Sequence, residues 1–174
     1  FSPLKLADLS KRWGHQNPLL LSGSFPMAIT SHYHLEYPYR NTQNMSHGFI
    51  SLRLKSLQII LCHLTAPKYA KKGEREKELR QLLSYILPIV EQNQPFVLLG
   101  DLNGNYDDEV VTALRAIGLV DPLKKESHRV DHVLVTPILR ERVHARGLDE
   151  AKLHQLSDHL PIYIEISPQK DETS

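Results

Sequence analysis

Apolar and polar positions recur along this chain with two different periods, which predict short strands interspersed with amphipathic helices. Residues 4–13 carry leucines and a tryptophan at helical spacing and predict a short helix that ends near Gly14. Residues 18–21 and 25–30 predict two strands joined by a turn, and Pro38 indicates an edge strand or a loop in the segment that follows.

The clearest hairpin follows this segment. Residues 48–54 alternate in the manner of a half-buried strand, Lys55 and Ser56 form the turn, and residues 57–64 return as a more continuously apolar strand. Cys62, the single cysteine, lies in that apolar run and is most simply a small core residue.

The clearest helix is predicted over residues 71–92, where apolar residues recur on one stripe after a charged beginning. Pro88 is expected to kink or shorten it, and the charged beginning is interpreted as a solvated face. Further patterns predict strands at 96–99, 129–136, 143–146 and 160–166, and a helix at 109–117. This alternation predicts one α/β domain over residues 1–168, followed by a polar tail at 169–174.

Composition indicates the general class of protein but does not identify its function. The chain has 174 residues, of which 41% are hydrophobic and 24% charged, as expected for a soluble globular domain. Its formal net charge of +1 gives no electrostatic argument for nucleic acid, although Lys68, Lys71, Lys72 and Arg75 supply some cations after His63. No membrane span or signal peptide is recognisable, and the cellular compartment stays open.

The sequence PFVLLGDLNGN, at residues 95–105, is the stretch most suggestive of chemistry. Its apolar run predicts a buried strand of a parallel or mixed sheet, with Asp101 and Asn103 just beyond its carboxyl end, where α/β folds bind ligands. A carboxylate and a carboxamide there can hold a hard cation, orient water or donate to a phosphate oxygen. The alternative is a simple Asp-x-Asn turn before the helix that begins near Asp107.

Other polar residues also lie at or beside predicted strand ends. These are His63 in LCHLTAP, Asp131 and His132 in VDHVLV, and Asp158 and His159 in LSDHLP. His132 alternates to the face opposite Asp131 and is interpreted as structural. Taken singly, the others also have structural interpretations: His63 as a core histidine, Asp131 as a partner of Arg129, and residues 157–159 as an ordinary loop.

Together these residues have the composition of a hydrolytic site. An aspartate fixes the tautomer of a histidine, a neighbouring carboxylate holds Mg²⁺, and Asp101 and Asn103 can activate and orient water. These are the parts of metal-assisted phosphodiester hydrolysis.

The ordered motifs HL, GDxN, DHVLV and SDH resemble those of the endonuclease/exonuclease/phosphatase superfamily, which includes deoxyribonuclease I. The resemblance covers about residues 26–166. It implies a four-layer α/β sandwich, in which two mixed β-sheets pack face to face with helices outside. It also implies a Mg²⁺ cofactor, with Mn²⁺ as an alternative.

The resemblance also implies residue roles. Asp101 resembles a water-activating or metal-adjacent aspartate, and Asn103 resembles the asparagine that orients nucleophile and phosphate. Whether the general base is Asp101 or His159 stays open. The implied catalytic set is His63, Asp101, Asn103, Asp131 and His159, and the implied metal ligands are Asp158, Asp101 and Asn103.

One part of the family pattern is missing from the start of the sequence. Family members carry two early strands, one ending in Asn and one in Glu, and that Glu is the principal metal ligand. Residues 4–13 resemble the helix that follows this Glu, and Glu36 lies in the wrong context to replace it. We therefore expect the natural protein to be longer at its N terminus. Only if the natural protein were truncated there would we expect a partner chain to complete the sheet.

The leading hypothesis is a Mg²⁺-dependent phosphodiesterase or phosphatase. The near-neutral charge and the lack of an obvious aromatic platform slightly favour a small phosphoester or a phospholipid headgroup over nucleic acid as the substrate. The alternatives are a nuclease acting on DNA or RNA, and a catalytically silent binding domain on the same scaffold. A zinc hydrolase is disfavoured because no HExxH or comparable spacing occurs among the 10 histidines.

Overall fold

The computed structural model describes residues 2–123, 129–148 and 157–168. The helices are α1 (Pro3–Arg12), α2 (Glu74–Glu91) and α3 (Glu109–Ala116), with a single 3₁₀ turn at Pro137–Leu139. The strands are β1 (Leu19–Leu21), β2 (Met27–Ile29), β3 (Glu36–Asn41), β4 (Gly48–Leu54), β5 (Leu57–His63), β6 (Phe96–Asp101), β7 (Asp131–Val135), β8 (Val143–Gly147) and β9 (Ile162–Ile166). The predicted tail at 169–174 lies outside the described residues.

A five-stranded mixed sheet in the order β3-β4-β5-β6-β7 forms the centre of the fold. Strands β5 and β6 are parallel, as the crossover through α2 requires, and the other neighbours are antiparallel. The predicted hairpin is β4–β5, and Pro38 lies on the edge strand β3 at a register shift. An edge position with a bulge suits proline because its missing N–H interrupts no ladder.

Each face of the central sheet is covered by a different layer. One face packs against α2 and α3 through Phe49, Ile60, Phe96, Leu98 and Leu134 among others. The opposite face packs against the antiparallel pairs β1–β2 and β8–β9, forming two further apolar clusters. The described residues therefore form helix, sheet and strand-pair layers, as expected for an α/β sandwich.

Two local expectations need correction. Strand β4 is buried on both faces over residues 48–52, because Phe49 packs under the helices while Ile50 and Leu52 pack under β1–β2; the expected half-buried strand is therefore wrong. Pro88 does not end α2, which continues to Glu91. A proline this close to the carboxyl end of a helix removes only one of the last backbone hydrogen bonds.

Helix α1 has the predicted position, but its apolar residues are only partly buried. Ser2 caps the helix by accepting a hydrogen bond from the backbone N–H of Lys5, and Leu6 is buried. Leu4 and Trp13 are largely exposed. Among the described residues, none of the helices has the length and apolar character needed to cross a membrane.

Gly100 allows β5 and β6 to approach closely just before Asp101. Its φ is +130°, and a Cβ at this position would lie 2.0 Å from the carbonyl oxygen of Cys62. Only glycine avoids both the strained backbone and this overlap with backbone atoms. The glycine of the GDxN motif therefore has a packing explanation independent of catalysis.

We expect Gly100→Ala to lower the free energy of unfolding by about 2–4 kcal/mol, because backbone strain and a steric overlap add. Urea denaturation measures this change. Gly23→Ala is the control, since a Cβ there meets nothing within 4 Å, and it should change stability by less than about 0.5 kcal/mol. Equal stability of the two variants would contradict this account of Gly100.

Candidate active site

Three predicted site residues lie side by side across the central sheet. His63 is in register with Asp101 on the parallel strand β6, and Asp101 is directly opposite Asp131 on the antiparallel strand β7. Strand alternation places all three on the face that packs against the two strand pairs. The carboxyl ends of β5 and β6 and the start of β7 therefore bring these side chains to one edge.

His159 joins this edge from the segment before β9. Its Nδ1 lies 2.6 Å from Oδ2 of Asp131, and its backbone N–H donates to Ser157 Oγ at 3.0 Å. The ionised Asp131 is an acceptor, so this bond places the Nδ1 proton between the two side chains and leaves Nε2 directed away from the carboxylate. Asp131 and His159 thus form an oriented carboxylate–imidazole pair.

Asp101 and Asn103 form the expected turn and also reach the edge. The Asn103 backbone N–H donates to Asp101 Oδ1 at 2.8 Å, and Asn103 Nδ2 donates to the Leu64 carbonyl at 2.8 Å. Asn103 has a φ of +49°, a left-handed conformation that asparagine tolerates. The turn interpretation and the site interpretation therefore apply to the same residues, because this turn leaves Asp101 beside His63 and bonds Asn103 to the carbonyl of Leu64.

The electrostatic environment shifts the pKa values of Asp101, His159 and His63. Burial raises the pKa of Asp101, and the charge of Asp131 adds to that rise, against the opposing Asn103 N–H. Burial alone would lower the pKa of His159, but the charge and hydrogen bond of Asp131 outweigh it and raise this pKa. Burial and the neighbouring His47 lower the pKa of His63.

The residues present fit a divalent cation. Asp101, Asp131 and His159 each offer a ligand atom, and these atoms all lie within 4.8 Å of one another. The two carboxylates suit Mg²⁺ or Mn²⁺ when phosphate and water complete the coordination. Asp158, a predicted metal ligand, is exposed and lies outside this cluster, and its role stays a prediction.

His63 lies at the other side of the cluster. Its Nε2 is 3.7 Å from Asp101 Oδ2, beyond direct hydrogen-bond distance. Its ring contacts His47, with centroids 4.4 Å apart, and Phe25, at 5.4 Å. Neither Phe25 nor His47 was a candidate in the sequence, because both lie outside the motifs and reach His63 only through the packing of β1–β2 and β4 on the sheet.

Glu78 is a second residue that the motifs did not indicate. It is fully buried, and its carboxylate accepts from the N–H groups of Ser46 and Thr65, both at 2.9 Å, and from Thr65 Oγ1 at 2.8 Å. This single side chain joins the loop that carries His47 to the loop that follows His63. Its sequence signal is an acidic residue on the apolar stripe of α2, four positions before Leu82.

Arg75 holds the loops that follow β5 and β6. It donates to the carbonyls of Thr65 and Leu102 and to Asp108 Oδ1, which also caps α3. Arg75, one of the cations that follow His63 in the sequence, is thus largely buried and paired with Asp108. Its guanidinium donates hydrogen bonds to carbonyl groups in the loops after β5 and β6.

The structural interpretation of His132 is confirmed, and the pairing of Asp131 with Arg129 is excluded. His132 is buried on the helix face, with Nε2 2.7 Å from the Gly104 carbonyl. Arg129 pairs with Asp121 and not with Asp131. Asp131 is therefore free of that ion pair and is held by His159.

A family model described as Endonuclease/Exonuclease/phosphatase family matches residues 10–159. The chain belongs to this family. The family resemblance stated from the motifs is thereby confirmed, and the family and its structural neighbours are hydrolases acting on phosphoester bonds. None of the curated proteins matches this chain.

Several solved structures share the fold. A Neisseria 3′ phosphatase bound to a product DNA hairpin superposes with a TM-score of 0.70 at 18% identity, covering 92% of this chain and 82% of that chain. An AP endonuclease from Archaeoglobus fulgidus gives 0.71 at 20% identity, with 92% and 82% covered. The human nocturnin catalytic domain with bound sulfate gives 0.65 at 15%, with 90% and 74% covered. The predicted α/β sandwich is confirmed.

We expect Glu78→Ala to lower the free energy of unfolding by about 3 kcal/mol or more, because it leaves the two buried donors of Thr65 and the partly buried N–H of Ser46 without their acceptor. Glu76→Ala is the control on the same helix, since Glu76 is exposed and should change stability by less than about 0.5 kcal/mol. Urea denaturation of both variants measures the difference. Similar unfolding midpoints would show that Glu78 does not hold the loops together.

Proposed function

We propose that this protein is a divalent-metal-dependent phosphoester hydrolase whose reaction takes place at the edge occupied by Asp101, Asp131 and His159. The observation that carries the proposal is the 2.6 Å contact between Asp131 and His159 Nδ1, directly beside a second, partly buried carboxylate. An imidazole held by a carboxylate at the carboxyl edge of a sheet is suited to move a proton during hydrolysis.

The Asp131–His159 pair would transfer the proton. Asp131 fixes the imidazole ring and stabilises its charged form, so that Nε2 can take a proton from water or return one to the leaving oxygen. Asp101 is the alternative base, because its carboxylate lies at the same edge. The choice between Asp101 and His159 as general base stays open.

Asn103 would position the phosphate or the water. Its Nδ2 is held by the Leu64 carbonyl, which orients the amide and directs its Oδ1 away from that carbonyl. His63 lies within 3.7 Å of Asp101 and would contribute a further polar group beside the phosphate. Both side chains are fixed by the loops after β5 and β6 before substrate arrives, which lowers the cost of ordering the site.

The carboxylates of Asp101 and Asp131 are the residues of the cluster that would hold a divalent cation, with Asp158 and Asn103 as further predicted ligands. Mg²⁺ is proposed, with Mn²⁺ as an alternative. Such a cation, when bound, neutralises charge on the phosphate and lowers the pKa of water. The Asp131–His159 hydrogen bond leaves the second oxygen of Asp131 for this purpose.

Two substrate classes remain. The sequence slightly favoured a small phosphoester or phospholipid headgroup, partly for lack of an aromatic platform. Phe25 and His47 beside His63 supply aromatic rings at the site and support a nucleic acid or nucleotide substrate instead. The structurally similar Neisseria 3′ phosphatase, bound to a DNA hairpin, is consistent with this second class.

The competing proposal is a catalytically silent binding domain on the same scaffold. A binding domain has no chemical need for an oriented Asp131–His159 pair beside Asp101 and Asn103. The arrangement of these four residues therefore favours the enzyme.

We expect Asp101→Ala and His159→Ala each to reduce metal-dependent hydrolysis of bis(p-nitrophenyl) phosphate about 100-fold or more, because each removes a group at the reacting centre. Circular dichroism should show both variants folded. His144→Ala, on the exposed side of β8, is the control and should retain activity. Undiminished turnover in both site variants would contradict the proposed roles of Asp101 and His159, whereas no hydrolysis by the unmodified protein would favour the silent domain.

Removal of divalent cations should have the same effect as loss of Asp101. We expect EDTA to abolish hydrolysis by the unmodified protein and Mg²⁺ or Mn²⁺ to restore it, because two neighbouring carboxylates need a cation to accept an anionic phosphate. The measurement is the initial rate before and after dialysis. Full activity in EDTA would contradict the metal-dependent mechanism while leaving a metal-independent hydrolase possible.

A further inference from the structure

An aromatic cluster adjoins His63 on the side away from Asp131. Phe25 lies edge-on to His47, with ring centroids 4.7 Å apart, and to His63 at 5.4 Å. His47 and His63 are 4.4 Å apart with their planes tilted by 42°. These edge-to-face and tilted geometries are the favourable ones for aromatic rings.

Phe25 is the exposed member of this cluster. It lies between β1 and β2, in the connection that reaches over the carboxyl end of β5, and 56% of it is solvent-accessible. Its backing rings are at least partly buried. Because Phe25 meets both histidines in edge-to-face geometry and is more than half exposed, part of its ring surface is open to contact by another planar ring.

The segment that carries His47 is held in place by a buried carboxylate. The backbone N–H of Ser46, next to His47, donates to the buried Glu78 carboxylate at 2.9 Å, and β4 begins at Gly48. Glu78 also holds Thr65, two residues after His63. One carboxylate therefore fixes both histidines relative to each other, and a preorganised platform costs less to order on binding.

A cleft next to His47 is lined by Ser46, Lys71, Lys72 and Lys77, together with Glu74. Aromatic rings flanked by lysines are the combination with which proteins bind nucleotides and single strands, through base stacking and phosphate attraction.

We infer that Phe25, backed by His47, is a substrate-contacting residue that stacks on the planar base of a nucleoside whose phosphoester is bound beside His63. The site would therefore select phosphoesters of nucleosides over those of small aliphatic alcohols. This inference rests on the proposed hydrolase function and adds a specificity-determining residue to it.

The experiment compares two esters with the same leaving group: thymidine 5′-(p-nitrophenyl) phosphate and methyl p-nitrophenyl phosphate, both with Mg²⁺. The measured quantity is the ratio of their kcat/KM values, which isolates the contribution of the nucleoside. We expect Phe25→Ala to lower this ratio about tenfold, mainly through KM, because stacking on one base contributes about this much. Phe25→Tyr keeps a ring and should preserve the ratio.

Trp13→Ala is the matched control, because Trp13 is equally exposed, at 57%, but lies at the end of α1. It should leave the ratio unchanged. An unchanged ratio in Phe25→Ala, or an equal fall for both esters, would overturn the inference while leaving the hydrolase intact. Hydrolysis of neither ester by the unmodified protein would reject the proposed function and this inference with it.

Discussion

The register between β5, β6 and β7 is the constraint on which the candidate site depends. It places His63, Asp101 and Asp131 side by side, and Gly100 permits it because a side chain there would overlap the Cys62 carbonyl. A slip of one residue would turn Asp101 to the helix face and separate it from Asp131. The apolar cluster under β8–β9 opposes such a slip of β6, since it would remove Val97 from that cluster.

The loops that follow these strands are held by buried polar side chains of α2. Glu78 binds backbone donors and Arg75 binds backbone carbonyls, so the segment around Thr65 is satisfied on both sides. Loops that carry functional groups have few apolar contacts of their own, and charged side chains from a rigid helix supply the missing constraint. The geometry of the candidate site therefore depends on side chains of α2 as well as on the strands that carry the site residues.

Motifs and hydrophobic period were sufficient to predict the hairpin, helix α2, the family and every strand but β3, which was left open as an edge strand or a loop. They also placed His132 on the structural face, because alternation along β7 follows directly from the sequence. They could not find Phe25 or His47, whose proximity to His63 arises from packing between segments about 16 to 38 positions apart. The burial of β4 on both faces was missed for the same reason: the layer above it comes from β1–β2.

The most direct test of the central claim is the location of a divalent cation. Crystals of the protein soaked with Mn²⁺ would be measured for anomalous diffraction. The account predicts an anomalous peak within about 2.5 Å of a carboxylate oxygen of Asp101, at the edge shared with Asp131. A well-occupied peak elsewhere, with none at this edge, would contradict it.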